Sequence, residues 1–438
     1  MKTVYRSKSE TGLIVRANPS WTPTNGEPRQ VETTYSYPIE IALAEMEEVD
    51  VAEIRPGSYR RLYAAPNRLP LGLDHSDPNV AAELQRIVYL KKADRERFRT
   101  IYYATNRKVA DAGAVGVSRF GNDIGPRISY GSALVRIPPT HRYGDEIDTP
   151  FVGWLDDPEK HFRVTALNRF DESAFYAAMR TTLSQPDDLE SLTRNDVLLF
   201  VHGFRTTMEF ALLRPAQIGY DIGFEGKTCA FSWPSRGKFL AYGEDQRQAS
   251  ASVLALSMVL RKLIEQQTDG RVHIVAHSMG NFLAMQALEQ LADEFEDLAE
   301  IDRPKLGHVI LADPDVGESD FELWTPRVVE VAKTVTLYHC SKDWALTGSF
   351  LLNSGQSRAG LRAWSLSGLD NVDCDDVSTE WLGHSAYADD SPLLFDIQLL
   401  LQRDARPEVR PLRRLEDLEP GHPYWQAIPE VAEVIEGF

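Results

Sequence analysis

The chain has 438 residues, which exceeds the roughly 250 to 300 residues at which a single hydrophobic core stops growing, so we expect two domains or one large domain with additions. Hydrophobic residues make up 43% and charged residues 26%, which are proportions of a globular protein and not of a disordered, collagenous or coiled-coil chain. The formal net charge of −18 disfavours nucleic acid and anionic membrane surfaces as partners, because like charges repel.

Cysteine usage and the N-terminal sequence bear on where the protein resides. The three cysteines, Cys229, Cys340 and Cys374, show no Cys-x-x-Cys spacing, so we expect reduced and mostly buried thiols. The first ten residues lack the apolar core of a signal peptide, and no window approaches the ~18 apolar residues of a membrane span. We therefore expect a cytoplasmic protein with no nucleic-acid or membrane partner, and the oligomeric state stays open.

The first part of the chain carries weak structural signals. Residues 1–99 are irregular, with helical spacing of apolar residues over Ile39–Val49 and Asn79–Lys92. They are predicted to form an N-terminal extension of mixed helices and strands, to which no role can be assigned. Residues 100–194 are predicted to be a β-rich lead-in, with strands over Thr100–Thr105 and Tyr130–Pro138.

From residue 195 to residue 403, short apolar runs alternate with longer amphipathic stretches, a pattern typical of βαβ units. This pattern predicts an α/β fold with a mainly parallel sheet flanked by helices. The gap between Ala312 and Thr334 is too short for a separate cap domain, and residues 404–438 are expected to be a C-terminal tail. The predicted strands are Val197–Val201, Thr228–Trp233, Val272–Ala276, His308–Ala312 and Thr334–Cys340, and the clearest helix is Asp245–Gln266.

A candidate nucleophile lies where the apolar strand Val272–Ala276 runs into small residues and then into an amphipathic helix. Ser278 would occupy the apex of a sharp strand–turn–helix junction, with Ala276 and Gly280 two places to either side to let strand and helix pack closely. The pattern departs from G-x-S-x-G only at its first glycine. The alternative is an ordinary turn in which Ser278 caps the helix.

A serine nucleophile needs a base, and the base needs an acid to orient it. Asp343 follows the strand Thr334–Cys340, and His384 comes further on, so Ser278, Asp343 and His384 occur in the chain order of α/β hydrolases. Taken singly, Asp343 could belong to a surface turn and His384 to a helix cap or a loop. Asp315 is a second candidate for the acid, although we expect it to fix its own loop through an Asx-type hydrogen bond.

The oxyanion of the reaction needs two preorganised N–H donors. The sequence Val201-His-Gly-Phe204 ends the first strand of the α/β block, and its turn suggests the backbone N–H of Phe204 as one donor. The backbone N–H of Met279, directly after the nucleophile, is the second candidate.

These pieces together resemble the α/β-hydrolase superfamily, and more closely a bacterial family usually called DUF900. The resemblance covers roughly residues 100 to 400 and implies a serine hydrolase whose triad is Ser278, Asp343 and His384. It leaves the substrate open. The matching segments are Tyr103–Arg107, Phe120–Asn122, Ser129–Gly131, Ile137–His141, Val201–Phe204, Phe231–Gly237, Ala276–Asn281, Ala312–Val316, Ser341–Asp343 and Gly383–Ser385.

The predicted activity is hydrolysis of a small-molecule carboxylic ester through an acyl-enzyme, without a cofactor. Amide or thioester cleavage by the same triad, and a non-catalytic scaffold that binds a protein partner, are the alternatives. No metal site is predicted, since His273 and His277 do not converge in a strand and turn. Ser235 and Arg236 receive no role. The acidic residues Asp370, Asp373, Asp375 and Asp376 lack the spacing of a calcium loop and are expected in a solvated loop.

Overall fold

The computed structural model describes residues 97–114, 116–149, 156–180, 195–238, 241–267, 270–295, 306–353, 355–377, 388 and 391–429, and five strands between residues 4 and 49. The chain divides into two compact units. The first is Met1–Glu96 with Ser184–Leu192 and Glu430–Phe438, and the second is Arg97–Leu183 with Thr193–Pro429.

The described part of the first unit is an antiparallel sheet of five strands in the order β4-β3-β2-β1-β5. The helix predicted over Ile39–Val49 is wrong, because this segment contributes the two strands β4 and β5. Ile39 and Ile41 also fit an alternating pattern, and Ile39 pairs with Val31 of β3. The predicted helix Asn79–Lys92 lies outside the described residues. The strands are β1 (Val4–Ser7), β2 (Ile14–Arg16), β3 (Pro28–Thr33), β4 (Pro38–Ala42) and β5 (Met46–Val49).

The second unit is built on one 11-stranded sheet flanked by seven helices in its described residues. The strands are β6 (Phe98–Val109), β7 (Phe120–Arg136), β8 (Arg163–Phe170), β9 (Val197–Val201), β10 (Lys227–Ser232), β11 (Val272–His277), β12 (Leu306–Ala312), β13 (Thr334–His339), β14 (Leu369–Asp373), β15 (Leu412–Arg414) and β16 (Tyr424–Ala427). The helices are α1 (Glu172–Arg180), α2 (Met208–Asp221), α3 (Tyr242–Gln266), α4 (Met279–Phe295), α5 (Glu318–Val331), α6 (Trp344–Leu352) and α7 (Ser391–Arg403).

The sheet order is β15-β16-β14-β13-β12-β11-β9-β10-β6-β7-β8. Pairing is parallel from β6 through β16, while β7, β8 and β15 join antiparallel at the two ends. The α/β fold predicted from the sequence is confirmed, and the five predicted strands of the α/β block match observed ones. Helix α5 fills the gap between β12 and β13. The segment expected to be a C-terminal tail differs from that expectation, since β15 and β16 complete the sheet.

Alternation along the buried strands divides the core between the two faces of the sheet. On β10, Cys229 and Phe231 pack into a cluster with apolar residues of α3, α4 and α5, while Ala230 packs with Ile101 of β6 and Leu212 of α2. Both faces of the central strands are therefore covered by helices, which explains why these strands read as continuous apolar runs. Among the helices of the described residues, none has the length and hydropathy needed to cross a membrane.

Burial is the largest cause of a pKa shift at three of the buried histidines of the second unit. It lowers the pKa of His202 to about 3, that of His308 to about 2 and that of His339 to about 4. At these three positions the unfolded chain therefore binds more protons than the folded chain between the unperturbed histidine value of about 6.5 and the lowered pKa of each residue. Two carboxyls oppose this trend, since burial raises the pKa of Asp370 to about 6 and also raises the pKa of Asp396.

We predict that the free energy of unfolding falls as the pH drops from about 6.5 toward 4, by up to ~1.4 kcal/mol per pH unit for each of His202, His308 and His339. Neither ring nitrogen of His339 has a hydrogen-bond partner among the described residues. His339→Leu should therefore flatten this dependence without losing a hydrogen bond. Urea unfolding of both proteins across the range checks it, and identical slopes would contradict the assignment to His339.

Candidate active site

Ser278 lies in a strained turn between β11 and α4. Its φ of 52° is in the left-handed region, which a residue with a Cβ adopts only at a cost. The turn is fixed on both sides: the Ser278 N–H donates to Ala312 O at 3.0 Å, and Ser278 O accepts from Asn281 N at 3.0 Å and Asp315 N at 3.2 Å. Ser278 is buried, with 2% of the residue exposed.

Two glycines allow the neighbouring backbone to approach this turn. A Cβ on Gly280, in the first turn of α4, would lie 2.4 Å from Val201 O and 2.6 Å from His202 O. A Cβ on Gly203 would lie 2.8 Å from Ser278 Cβ. The close packing that the sequence predicts at Gly280 is therefore present, and Gly203 supplies a second such contact that the sequence analysis did not identify.

The two predicted oxyanion donors lie in turns that follow neighbouring strands. Phe204 belongs to the turn His202–Thr206 after β9, and Met279 begins α4 after β11. Within the described residues, the backbone N–H groups of Phe204 and Met279 have no hydrogen-bond acceptor. Met279 is 2% exposed, and unpaired N–H groups are rare at such buried positions. Both groups are therefore available to an oxygen atom near Ser278.

The predicted acid Asp343 is buried, which excludes the surface turn considered as its alternative. It is the N-cap of α6, and its Oδ1 accepts from Ala345 N at 2.8 Å and Leu346 N at 3.0 Å. This cap fixes the carboxylate at the carboxyl end of β13. The predicted base His384 lies outside the described residues; it follows β14, the strand next to β13.

A family model described as "Alpha/beta hydrolase of unknown function" (DUF900) matches residues 177–403. The chain belongs to this family. The matched range contains Ser278, Asp343, His384 and both candidate oxyanion donors, whereas the segments between Tyr103 and His141 that also carried the resemblance precede it.

A curated relative adds similarity over a short stretch. The uncharacterized protein alr1448 of Nostoc sp. (strain PCC 7120) is 38% identical over 64 residues, which make up 15% of this chain and 17% of the relative. The chain thus aligns with about a sixth of that protein. Neither description names a substrate, so membership of DUF900 indicates a hydrolase and nothing finer.

Asp315 differs from its prediction as a local Asx turn. Its carboxylate instead binds distant side chains: Tyr242 Oη donates to Oδ2 at 2.8 Å, Ser349 Oγ donates to Oδ1 at 2.5 Å, and Arg358 Nε lies 3.2 Å from Oδ1. The ring of Tyr242 packs edge-on against Phe204, with centroids 5.4 Å apart. Asp315 therefore connects the loop after β12 to α3 and α6.

Ser235 and Arg236, left without a role by the sequence, follow β10 beside the turn His202–Thr206. Ser235 is buried and accepts from Thr206 N at 3.0 Å. Arg236 pairs with Asp123 at 2.9 Å and Glu244 at 3.0 Å. It borders a cavity of about 340 Å³ lined by Asn122, Arg236, Lys238, Ala241 and Glu244. The recurrence of Phe231–Gly237 in the family resemblance was the available signal for these residues.

Three of the four acidic residues near the end of β14 differ from the solvated loop expected for them, whereas Asp376 is exposed in the turn after β14. Asp370 and Asp373 belong to β14 itself, and Asp373 accepts from Tyr424 Oη at 2.7 Å. Asp375 accepts from the N–H of Ser341 at 2.7 Å, and so fixes the turn that leads to Asp343. Within the described residues, no three His, Cys, Asp or Glu side chains are arranged to hold a metal ion.

We predict that Gly280→Ala disrupts the serine turn, because its Cβ would meet two backbone carbonyl oxygens that cannot move independently. Gly348→Ala in α6 is the matched control, since nothing lies within 4 Å of its Cβ. The control should gain about 0.5–1 kcal/mol from helix propensity. Thermal unfolding and reactivity of Ser278 toward a fluorophosphonate measure both effects. A Gly280→Ala protein as stable and reactive as the control would show that the contact is unimportant.

Proposed function

We propose that this protein is a serine hydrolase that cleaves carboxylic esters. Ser278 Oγ attacks the ester carbonyl, His384 accepts its proton, and Asp343 orients the imidazole of His384. The N–H groups of Phe204 and Met279 stabilise the oxyanion of the tetrahedral intermediate. His384 then protonates the departing alcohol, and a water molecule activated by the same histidine hydrolyses the acyl-enzyme.

This proposal rests on a strained serine that lies beside two backbone N–H groups, those of Phe204 and Met279, for which the described residues offer no acceptor. Backbone strain of this kind persists only where the surroundings over-determine it, and it concentrates at functional sites. An ordinary helix cap would leave Ser278 with a relaxed φ and would not require Gly203 to lie against its Cβ. The strained φ of 52° and the absent Cβ at Gly203 both favour a nucleophile.

The choice of Asp343 over Asp315 as the acid has a physical basis. Both oxygens of Asp315 already accept hydrogen bonds, and a guanidinium group lies beside one of them. Because these partners already satisfy its oxygens and its charge, the Asp315 carboxylate would stabilise an imidazolium ion only weakly. Both capping bonds of Asp343 use Oδ1, so its Oδ2 takes no part in the cap.

We predict that Ser278→Ala abolishes hydrolysis of short-chain aryl esters, with a loss of about 10⁴-fold or more, because the nucleophile is removed. A fluorophosphonate probe should label the wild-type protein at Ser278, as located by peptide mapping, and should not label the variant. Aryl thioesters and anilides tested in parallel rank the alternative leaving groups. Retention of a tenth of the activity in a folded variant would overturn the assignment.

We predict opposite outcomes for the two carboxylates. Asp343→Asn keeps an N-cap residue but misorients the imidazole, and should cost on the order of 10⁴-fold in turnover with little loss of stability. Asp315→Asn removes the charge that compensates Arg358, and should lower the free energy of unfolding by about 1–3 kcal/mol while turnover largely survives. Steady-state kinetics and urea unfolding of both variants decide; an inactive Asp315→Asn beside an active Asp343→Asn reverses the roles.

A further inference from the structure

The turn His202–Thr206, which carries the Phe204 N–H, is strained and needs external support. Arg205 has a φ of 60°, in the left-handed region. A residue with a Cβ leaves this region unless its neighbours hold it there. If Arg205 relaxed to a negative φ, the orientation of the adjacent peptide groups would change. Of its two neighbours, Phe204 is the one whose N–H has no acceptor within the described residues.

Buried side chains from outside the turn hold its backbone. Asp245 Oδ2 accepts from Arg205 N at 3.3 Å, and Ser235 Oγ accepts from Thr206 N at 3.0 Å. Ser235 in turn donates to Asp245 Oδ2 at 2.5 Å. In addition, Arg107 Nη2 donates to Thr206 O at 2.8 Å. Three elements that are separate in the chain thus hold two consecutive residues of the turn.

The residues of this network are fully shielded from water. Ser235 and Asp245 are each 0% exposed, and Arg107 is 1% exposed. The acceptors of Arg107 are the neutral groups Ser232 Oγ, Asn122 Oδ1, Ser235 O and Thr206 O. Burial lowers the pKa of Arg107 to about 9, while the charge of Asp245 acts to raise it. Burying the charges of Arg107 and Asp245 costs desolvation free energy, and buried charges of this kind seldom increase the net free energy of unfolding.

We propose that Ser235 and Asp245 are positioning residues that hold the turn His202–Thr206 so that the Phe204 N–H faces the oxyanion formed on Ser278. The inference rests on the proposed function, because it requires an oxyanion at that point. Neither residue touches the substrate; each acts through the backbone of Arg205 or Thr206.

The test compares Ser235→Ala with Ser252→Ala. Both changes delete a buried hydroxyl that accepts one hydrogen bond, since Ser252 Oγ accepts from Asn106 Nδ2 at 2.9 Å, but Ser252 does not contact the turn. Ser235→Ala should lower kcat for aryl esters about tenfold to a hundredfold and leave KM nearly unchanged, because a displaced donor costs less than a deleted one. Affinity for an aryl boronic acid, which forms a tetrahedral adduct on serine, should fall by a similar factor. Ser252→Ala should match the wild-type protein in both measurements.

A second variant separates positioning from a general loss of packing. Glycine adopts positive φ at little cost, so Arg205→Gly in the Ser235→Ala protein should recover a substantial part of the lost kcat. A purely structural role would give no such rescue. Asp245→Asn provides an independent break in the same network if Ser235→Ala fails to fold.

The outcomes distinguish this inference from the proposed function. Fluorophosphonate labelling of the wild-type protein at Ser278, with Ser235→Ala as active as Ser252→Ala, overturns the inference alone. A loss confined to KM, or a loss that Arg205→Gly does not relieve, also overturns it. Failure of the wild-type protein to label at Ser278 or to hydrolyse any ester overturns both.

Discussion

The parallel register between β9 and β11 is the constraint on which the rest of the site depends. Val201 is the partner of Ala276 in this ladder. Two positions beyond this pair, a Cβ on Gly203 would lie 2.8 Å from Ser278 Cβ, so the turns after the two strands also lie side by side. The two candidate oxyanion donors directly follow this contact in the chain, Phe204 after Gly203 and Met279 after Ser278, and neither N–H has an acceptor within the described residues.

Strain concentrates at this edge of the sheet. Of the four non-glycine residues with positive φ in the described part of the chain, Arg205, Ser278 and Asp313 lie in turns after β9, β11 and β12. Each conformation costs on the order of 1–3 kcal/mol unless the surroundings impose it. Hydrogen bonds from the surroundings stabilise these strained conformations. Ser235 and Asp245 hold the turn after β9. The serine turn is held by backbone hydrogen bonds between Ser278 and the residues Ala312 and Asp315. The strain in these three turns lowers the stability of the fold, and the hydrogen bonds around them fix their backbone geometry.

The sequence was most informative where periodicity and chain order coincide with the fold. Apolar runs such as Val197–Val201 are buried on both faces, so they appear as strands, and the serine turn follows one of them. The segment Ile39–Val49 was predicted to be a helix because a short stretch can satisfy helical and alternating spacing of apolar residues together. Pairing with a neighbouring strand, which the sequence does not reveal, decides between the two.

The hydrogen bonds that hold the turn after β9 and the loop of Asp315 could not be predicted from the sequence, for a different reason. Arg107 and Thr206 are 99 residues apart, and Tyr242 and Asp315 are 73 residues apart. No spacing rule relates such residues, since only the sheet order brings β6, β10 and α3 together. Asp245 also lies in the first turn of α3, where an acidic side chain is expected from helix electrostatics alone. The position of Asp245 in the sequence therefore did not indicate that its side chain binds the turn after β9.

The strand order also bears on how the acid and the base could meet. In the sequence β14-β13-β12-β11, the turn after β13 that carries Asp343 lies between the end of β14 and the loop of Asp315. His384 follows β14 in the chain, and β14 pairs with β13, which is the strand before Asp343, and not with β12, which is the strand before Asp315; this order agrees with the proposed pairing of His384 with Asp343. Asp315 lies next to the serine strand and is bonded through its backbone N–H to Ser278 O. Asp315 thus supports the serine turn through its backbone N–H and uses its carboxylate to bind Tyr242, Ser349 and Arg358, which leaves Asp343 for the proposed role of orienting His384.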